Sequence, residues 1–245
     1  MVNPVGSYEN KYWQKKWAYT KSLPIDPVQY SLIIGSLLGD GTMRVGKGAA
    51  NANFKVEQGL QQKEFTFWKY GILKSLVLTG PKVSIRYDKD RLPYEKSWWF
   101  RTVRHPFLTE IYNRFYVTDG YRAGRKIVPL DIQKDLDSFA LAIWIMDDGS
   151  YSKGVIDIST YAFTLEEIIL LQKVIQNNFD SMARYYKDRD KGYRMYWNKT
   201  ESAKIIKAIY PHIIPSMMYK IGIHNLVTTG SDAAITARTK TVPQR

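Results

Sequence analysis

Two aspartates stand out as residues that could do chemistry, and each is followed by glycine. Asp40 closes the run Ser31-Leu-Ile-Ile-Gly-Ser-Leu-Leu-Gly-Asp-Gly41, and Asp148 closes Phe139-Ala-Leu-Ala-Ile-Trp-Ile-Met-Asp-Asp-Gly149, 108 positions later. A carboxylate at the C-terminal end of a helix faces the negative pole of the dipole, which costs about 0.3–1 kcal/mol unless something positive compensates. Two such ends brought together would concentrate negative charge, and a bound divalent cation would resolve the conflict. The plainer reading is an Asp-Gly turn after a buried helix. Its repetition in one frame, after two apolar runs, favours a paired site. The chain has no cysteine and only three histidines, none with the spacing of a zinc pair. Thiolate chemistry, disulfides and zinc ribbons are therefore excluded, and metal chemistry would run on carboxylates with a hard cation such as Mg²⁺.

The runs that carry these acids must be buried on all sides, since a helix apolar all round has no face for water. Gly35 and Gly39, four apart, would let a second backbone come close, and Ala142 offers a small surface on the other helix. Asp26-Pro27 and Asp137-Ser138 supply N-terminal caps, and Gly41 and Gly149 are natural stops. The same order follows each run: two short strands, a helix (61–77, then 164–179 with Thr164 and Glu167 as a capping box), a hairpin (82–87 with 98–103, then 183–187 with 193–197), and a closing helix (106–116, then 201–210). The spacing predicts an N-terminal extension over 1–27, repeats over 28–128 and 129–228, and a polar, disordered tail over 229–245.

The chain carries 36 Lys and Arg against 23 Asp and Glu, a net charge of +13 over 245 residues. Such an excess implies a polyanionic partner. The longest apolar run is the eight residues 139–146, far short of a membrane span, and the start shows no signal peptide. Nucleic acid is the expected partner.

On these residues the sequence resembles the LAGLIDADG homing endonucleases in their monomeric, two-motif form. The motifs align as Ile33-Ile-Gly-Ser-Leu-Leu-Gly-Asp-Gly41 and Leu141-Ala-Ile-Trp-Ile-Met-Asp-Asp-Gly149, and the resemblance spans about 200 residues in element order and repeat length. It implies an α+β fold of two αββαββα repeats forming a saddle of antiparallel sheets, with the motif helices packed at the interface. It also implies that Asp40 and Asp148 hold two or three divalent ions, with Mg²⁺ productive, Mn²⁺ a substitute and Ca²⁺ non-productive. Lys126, in Lys-Ile-Val-Pro, and Lys220, in Ser-Met-Met-Tyr-Lys, match the family's active-site lysines. Gln58 and its second-half counterpart Tyr161 match positions that help hold the attacking water. The implied activity is cleavage of both strands of double-stranded DNA at a long asymmetric site, leaving short 3′ overhangs. The protein would act as a monomer with no protein partner and no membrane, and be encoded in an organellar or microbial intron. A non-cleaving nucleic-acid binder, either an intron maturase assisting RNA splicing or a DNA-binding protein derived from this fold, is the alternative. An intein is disfavoured because His224-Asn225 is internal and no Cys or Ser splice junction opens the chain.

Base reading requires polar side chains on one face of a β-ribbon that enters the major groove. Alternation puts Asn51, Asn53, Lys55 and Glu57 on one face, with Ala52, Phe54 and Val56 on the other. Thr42 and Arg44 extend the polar face on the preceding strand. In the second half Asp157 and Ser159 oppose Ile156 and Ile158. Arg86, Arg101, Arg184 and Arg194 fall on the outer hairpins, placed to meet bases or phosphates.

Overall fold

The computed structural model describes residues 6–89 and 92–223. The expected tail over 229–245 lies outside the described residues. Each repeat builds one four-stranded antiparallel sheet, and the two sheets share one topology, β1-β2-β4-β3 and β5-β6-β8-β7. The first repeat runs α2 (Pro27–Leu38), β1 (Thr42–Val45), β2 (Ala52–Gly59), α3 (Lys63–Leu73), β3 (Lys82–Arg86), β4 (Tyr94–Arg101) and α4 (Pro106–Phe115). The second runs α5 (Ser138–Asp148), β5 (Gly149–Ser152), β6 (Val155–Ser159), α6 (Leu165–Phe179), β7 (Arg184–Lys187), β8 (Tyr193–Trp197) and α7 (Lys199–Ile209). This is the α+β fold of two αββαββα repeats that the sequence implies. The extension before them is a helix, α1 (Gly6–Ser22).

The caps explain where the motif helices begin. Asp26 accepts from the Gln29 N–H and the Gln29 side chain returns a bond to the Asp26 N–H, a reciprocal cap ahead of Pro27. Asp137 accepts from the Ala140 N–H at 2.7 Å. The α2 helix ends earlier than Gly41, at a Gly39 cap, and the chain then folds back so that the Gly41 N–H donates to the Ser36 carbonyl at 2.7 Å. The α5 helix stops at Gly149 as expected.

The two motif helices are the centre of the core. Leu32, Ile33, Ile34 and Leu37 on α2, and Ala140 through Met146 on α5, have no exposed surface. Burial of each large side chain contributes about 1.5–3 kcal/mol relative to exposure. Contacts at both ends fix their relative direction. Near the N-termini, Ser31 Oγ donates to the Asp137 carboxylate at 2.7 Å. At the C-termini, Gly39 lies against Asp147. Halfway along, a Cβ on Gly35 would lie 2.2 Å from the Ala140 carbonyl oxygen and 2.7 Å from Ile143 Cβ. The close approach that the two glycines permit is therefore real, and its nearest partners are Ala140, Ile143 and Asp147. Helices side by side with like ends together necessarily deliver Asp40 and Asp148 to one end of the pair.

On β2 the burial alternates as the sequence predicts: Ala52, Phe54 and Val56 face the core and Asn53, Lys55 and Glu57 are half-exposed. Ile156 and Ile158 repeat this on β6, opposite Asp157 and Ser159. The β4 strand begins at Tyr94, four residues ahead of the expected hairpin arm, and its ladder with β3 shifts register between Ser84 and Ile85.

Candidate active site

Each motif end is clamped by one lysine in the same way. Lys126 Nζ donates to the carbonyls of Gly39 at 2.8 Å and Gly41 at 2.9 Å, which flank Asp40. Lys220 Nζ donates to the carbonyls of Asp147 at 3.2 Å and Gly149 at 2.8 Å, which flank Asp148. The lysines thus satisfy the carbonyls left unpaired at a helix C-terminus and oppose its negative pole. Burial lowers the pKa of both ammonium groups, and the carboxylates of Asp40, Asp147 and Asp148 pull it back up.

The paired carboxylates feel one another. Burial, then the charges of Asp40 and Asp147, push the Asp148 carboxyl up to about 7 against the opposing pull of Lys126 and Lys220. A positive ion between Asp40 and Asp148 would remove that repulsion, and oxygen donors of this kind suit Mg²⁺. Among the described residues no group of three or more His, Asp or Glu side chains is arranged to hold a metal ion. Two of the described carboxylates, Asp40 and Asp148, could share a cation, and other oxygen donors would complete its coordination.

Asp147, beside Asp148, does something different. Its side chain is fully buried and ion-paired to the equally buried Lys69, with Nζ at 2.7 and 2.9 Å from the two carboxylate oxygens. Lys69 also donates to Ser36 Oγ at 3.0 Å and sits over the Phe65 ring. Gln58 Nε2 donates to the same Asp147 carboxylate at 2.8 Å. Burial raises the Asp147 pKa and Lys69 lowers it. Even parity with Phe54 and Val56 turns the Gln58 side chain inward, onto Asp147. Tyr161 does not occupy the corresponding inward place on the second sheet. Its hydroxyl bonds to Asp188 and Arg194, not to the paired acids. The residue that continues the buried face of Ile156 and Ile158 is Thr160, whose Oγ1 donates to the Tyr193 carbonyl.

Sequence reading passed over Lys69, Ser36 and Asp147. One signal was available: Lys69 stands four after Phe65 and four before Leu73, in the buried stripe of α3.

The polar sheet faces are split in character. Thr42, Arg44, Asn53, Lys55, Glu57 and Arg101 line one groove over the first sheet. Within it Lys55 pairs with Glu57, and Glu57 also accepts from Ser97 Oγ. Asn51 precedes β2 and has its amide against Thr109 of α4, away from that groove. On the second sheet Arg194 is ion-paired with Asp157 and donates to Ser159 Oγ. Arg86 pairs with Asp88, and Arg184 is exposed.

Comparisons with known proteins agree with this architecture. The family model of the LAGLIDADG DNA endonuclease family matches residues 30–205. DNA endonuclease I-ChuI of Chlamydomonas applanata is 30% identical over 208 residues, covering 80% of this chain and 95% of the relative. Cytochrome b mRNA maturase bI2 of Debaryomyces hansenii is 28% identical over 203 residues, covering 81% and 75%. Among solved structures, the homing endonuclease I-WcaI bound to its DNA recognition sequence superposes with a TM-score of 0.75 at 18% identity, covering 91% of this chain and 96% of that one.

Proposed function

Because the chain belongs to the LAGLIDADG DNA endonuclease family, we propose that it cuts both strands of double-stranded DNA at a long, asymmetric site, using divalent metal. The observation that carries this reading is the juxtaposition of two motif ends, each with an acid between two lysine-clamped carbonyls. Asp40 and Asp148 would hold the metal, with Mg²⁺ the expected ion. When bound, such an ion supplies an activated water and neutralises charge developing on the phosphate. Lys126 and Lys220 fix the backbone on either side of the acids and bring positive charge to where the scissile phosphates would lie. The groove over the first sheet would read bases through Arg44, Asn53 and Arg101, and Asp157 with Arg194 would present a fixed donor–acceptor pair on the second. The two halves carry different residues at these places, which is why the target should be asymmetric. A single chain contains both acids, so a monomer suffices.

A maturase role is the second reading, favoured by the similarity to a cytochrome b mRNA maturase. A plasmid library with a randomised insert separates the two. Linear plasmid formed with Mg²⁺ but not with Ca²⁺ supports the nuclease, and a recurrent insert among the products gives the target. Retarded but intact DNA under both ions supports a binder that does not cut.

A further inference from the structure

The network around Asp147 joins the two halves yet has no mirror image among the described residues. Lys69 from α3 and Gln58 from β2, both in the first repeat, converge on a carboxylate supplied by the second, and Ser36 of α2 accepts a further bond from Lys69. The equivalent place in the first motif is Gly39, which has no side chain, and Asp147 fills the space a Cβ there would need.

We propose that Lys69 is a positioning residue for strand cleavage, acting through Asp147 to hold the two motif ends in register while touching no DNA. This rests on the nuclease reading above. Asp147 is joined through the chain to Asp148 and packs on Gly39, which is joined to Asp40, so one side chain abuts the neighbours of both acids. Donors on both of its oxygens leave it a single orientation. Lys69 is wholly enclosed, with Phe65 beneath it. Without Lys69 the carboxylate would lose its charge partner and its main fixed point. Misplacement of reacting groups by about 1 Å costs on the order of 100-fold in rate.

The test uses Lys69→Met, Asp147→Asn and the double variant, with a duplex carrying the site recovered from the plasmid library. Three quantities are read: the single-turnover cleavage rate with Mg²⁺ at saturating protein, Kd with Ca²⁺, and the melting temperature. Each variant folded at the assay temperature should cut about 10- to 100-fold more slowly, with Kd within about twofold of wild type. The double variant should be no slower than the slower single one, because residues acting as one unit do not add. If Lys69→Met does not fold, Asp147→Asn, which keeps the shape, decides alone. Wild-type cleavage by a folded variant, losses that multiply in the double, or a rate loss matched by weaker binding would each overturn the inference. A wild-type protein that binds DNA but cuts no duplex overturns the nuclease reading and this inference with it, whereas normal wild-type cleavage with unaffected variants overturns only the inference.

Discussion

Asp147 packs against Gly39 so closely that a Cβ at position 39 would lie 2.6 Å from Asp147 Cβ and 2.9 Å from its carboxylate oxygen. Neither neighbour can give way. Asp147 is held by Lys69 and Gln58, and Gly39 by the Lys126 bond to its carbonyl. Gly39→Ala should therefore destabilise the fold by about 1–3 kcal/mol, the usual cost of overpacking a fixed core. Gly71→Ala is the control: on α3 nothing lies within 4 Å of the added methyl, so it should stabilise by about 0.5–1 kcal/mol through helix propensity. Thermal or urea unfolding of the two variants should move the midpoint in opposite directions. Equal midpoints would mean that the motif ends are not packed as described.

Lys126 and Lys220 each hold two backbone carbonyls at a helix end. Replacing either by methionine keeps the stem but removes the charge-assisted bonds, with an expected stability loss of about 1–2 kcal/mol, discounted for water that can reach the freed carbonyls. Cleavage should fall more steeply, by about 10²-fold or more, because charge near the reacting phosphate is lost as well. Unfolding curves and plasmid cleavage measured together would show this. A fall in stability with cleavage intact would reduce the lysines to helix caps.

The sequence made the motif helices legible because all-apolar runs bounded by Asp caps and Gly stops admit few other readings. Alternation in Asn51–Glu57 likewise fixed which β2 residues face out, since period two leaves no freedom once Phe54 is inside. The same rule sets the place of Tyr161. Strand β6 is short, and counting one residue too far exchanges the buried Thr160 for its outward neighbour. The Lys69–Asp147 pair was hidden for another reason. It joins residues 78 apart in the chain, and lysine is ordinarily read as solvated. Helix α1 escaped notice because its aromatic and basic residues mix around the helix without a clear apolar face. Tyr12, Trp13 and Tyr19 stay exposed among the lysines.

Asp40→Asn and Asp148→Asn should each remove cleavage of both strands while leaving the fold intact, since neither carboxylate is needed by another side chain among the described hydrogen bonds and ion pairs. Asp40→Asn deletes a negative charge beside the expected phosphates, and Asp148→Asn a fraction of one, since that carboxyl is pushed up to about 7, so affinity measured without divalent metal should hold or tighten. Gel retardation and plasmid cleavage on the same preparations check both halves of the expectation. Cutting at the wild-type rate by either variant would mean the acids do not carry the chemistry.

Arg101 and Arg194 are both arginines on sheet faces, yet they should respond differently to substitution by alanine. No carboxylate pairs with Arg101 among the described residues, and it lines the groove over the first sheet. Arg101→Ala should leave the melting temperature unchanged and weaken DNA binding. If the guanidinium meets a phosphate, the slope of log K against log salt should fall by about 0.9. If it meets a base, the slope should persist and preference at one target position should relax by about 1–3 kcal/mol. Arg194 is bound to Asp157, Ser159 and Tyr161. Arg194→Ala strips a half-buried carboxylate of its partner, so stability should drop by about 1 kcal/mol before any effect on DNA is counted, a figure already reduced for partial exposure. Unfolding midpoints together with salt titrations of the two variants separate these cases, and an Arg101 variant that binds as wild type at every salt concentration would remove that groove from the DNA interface.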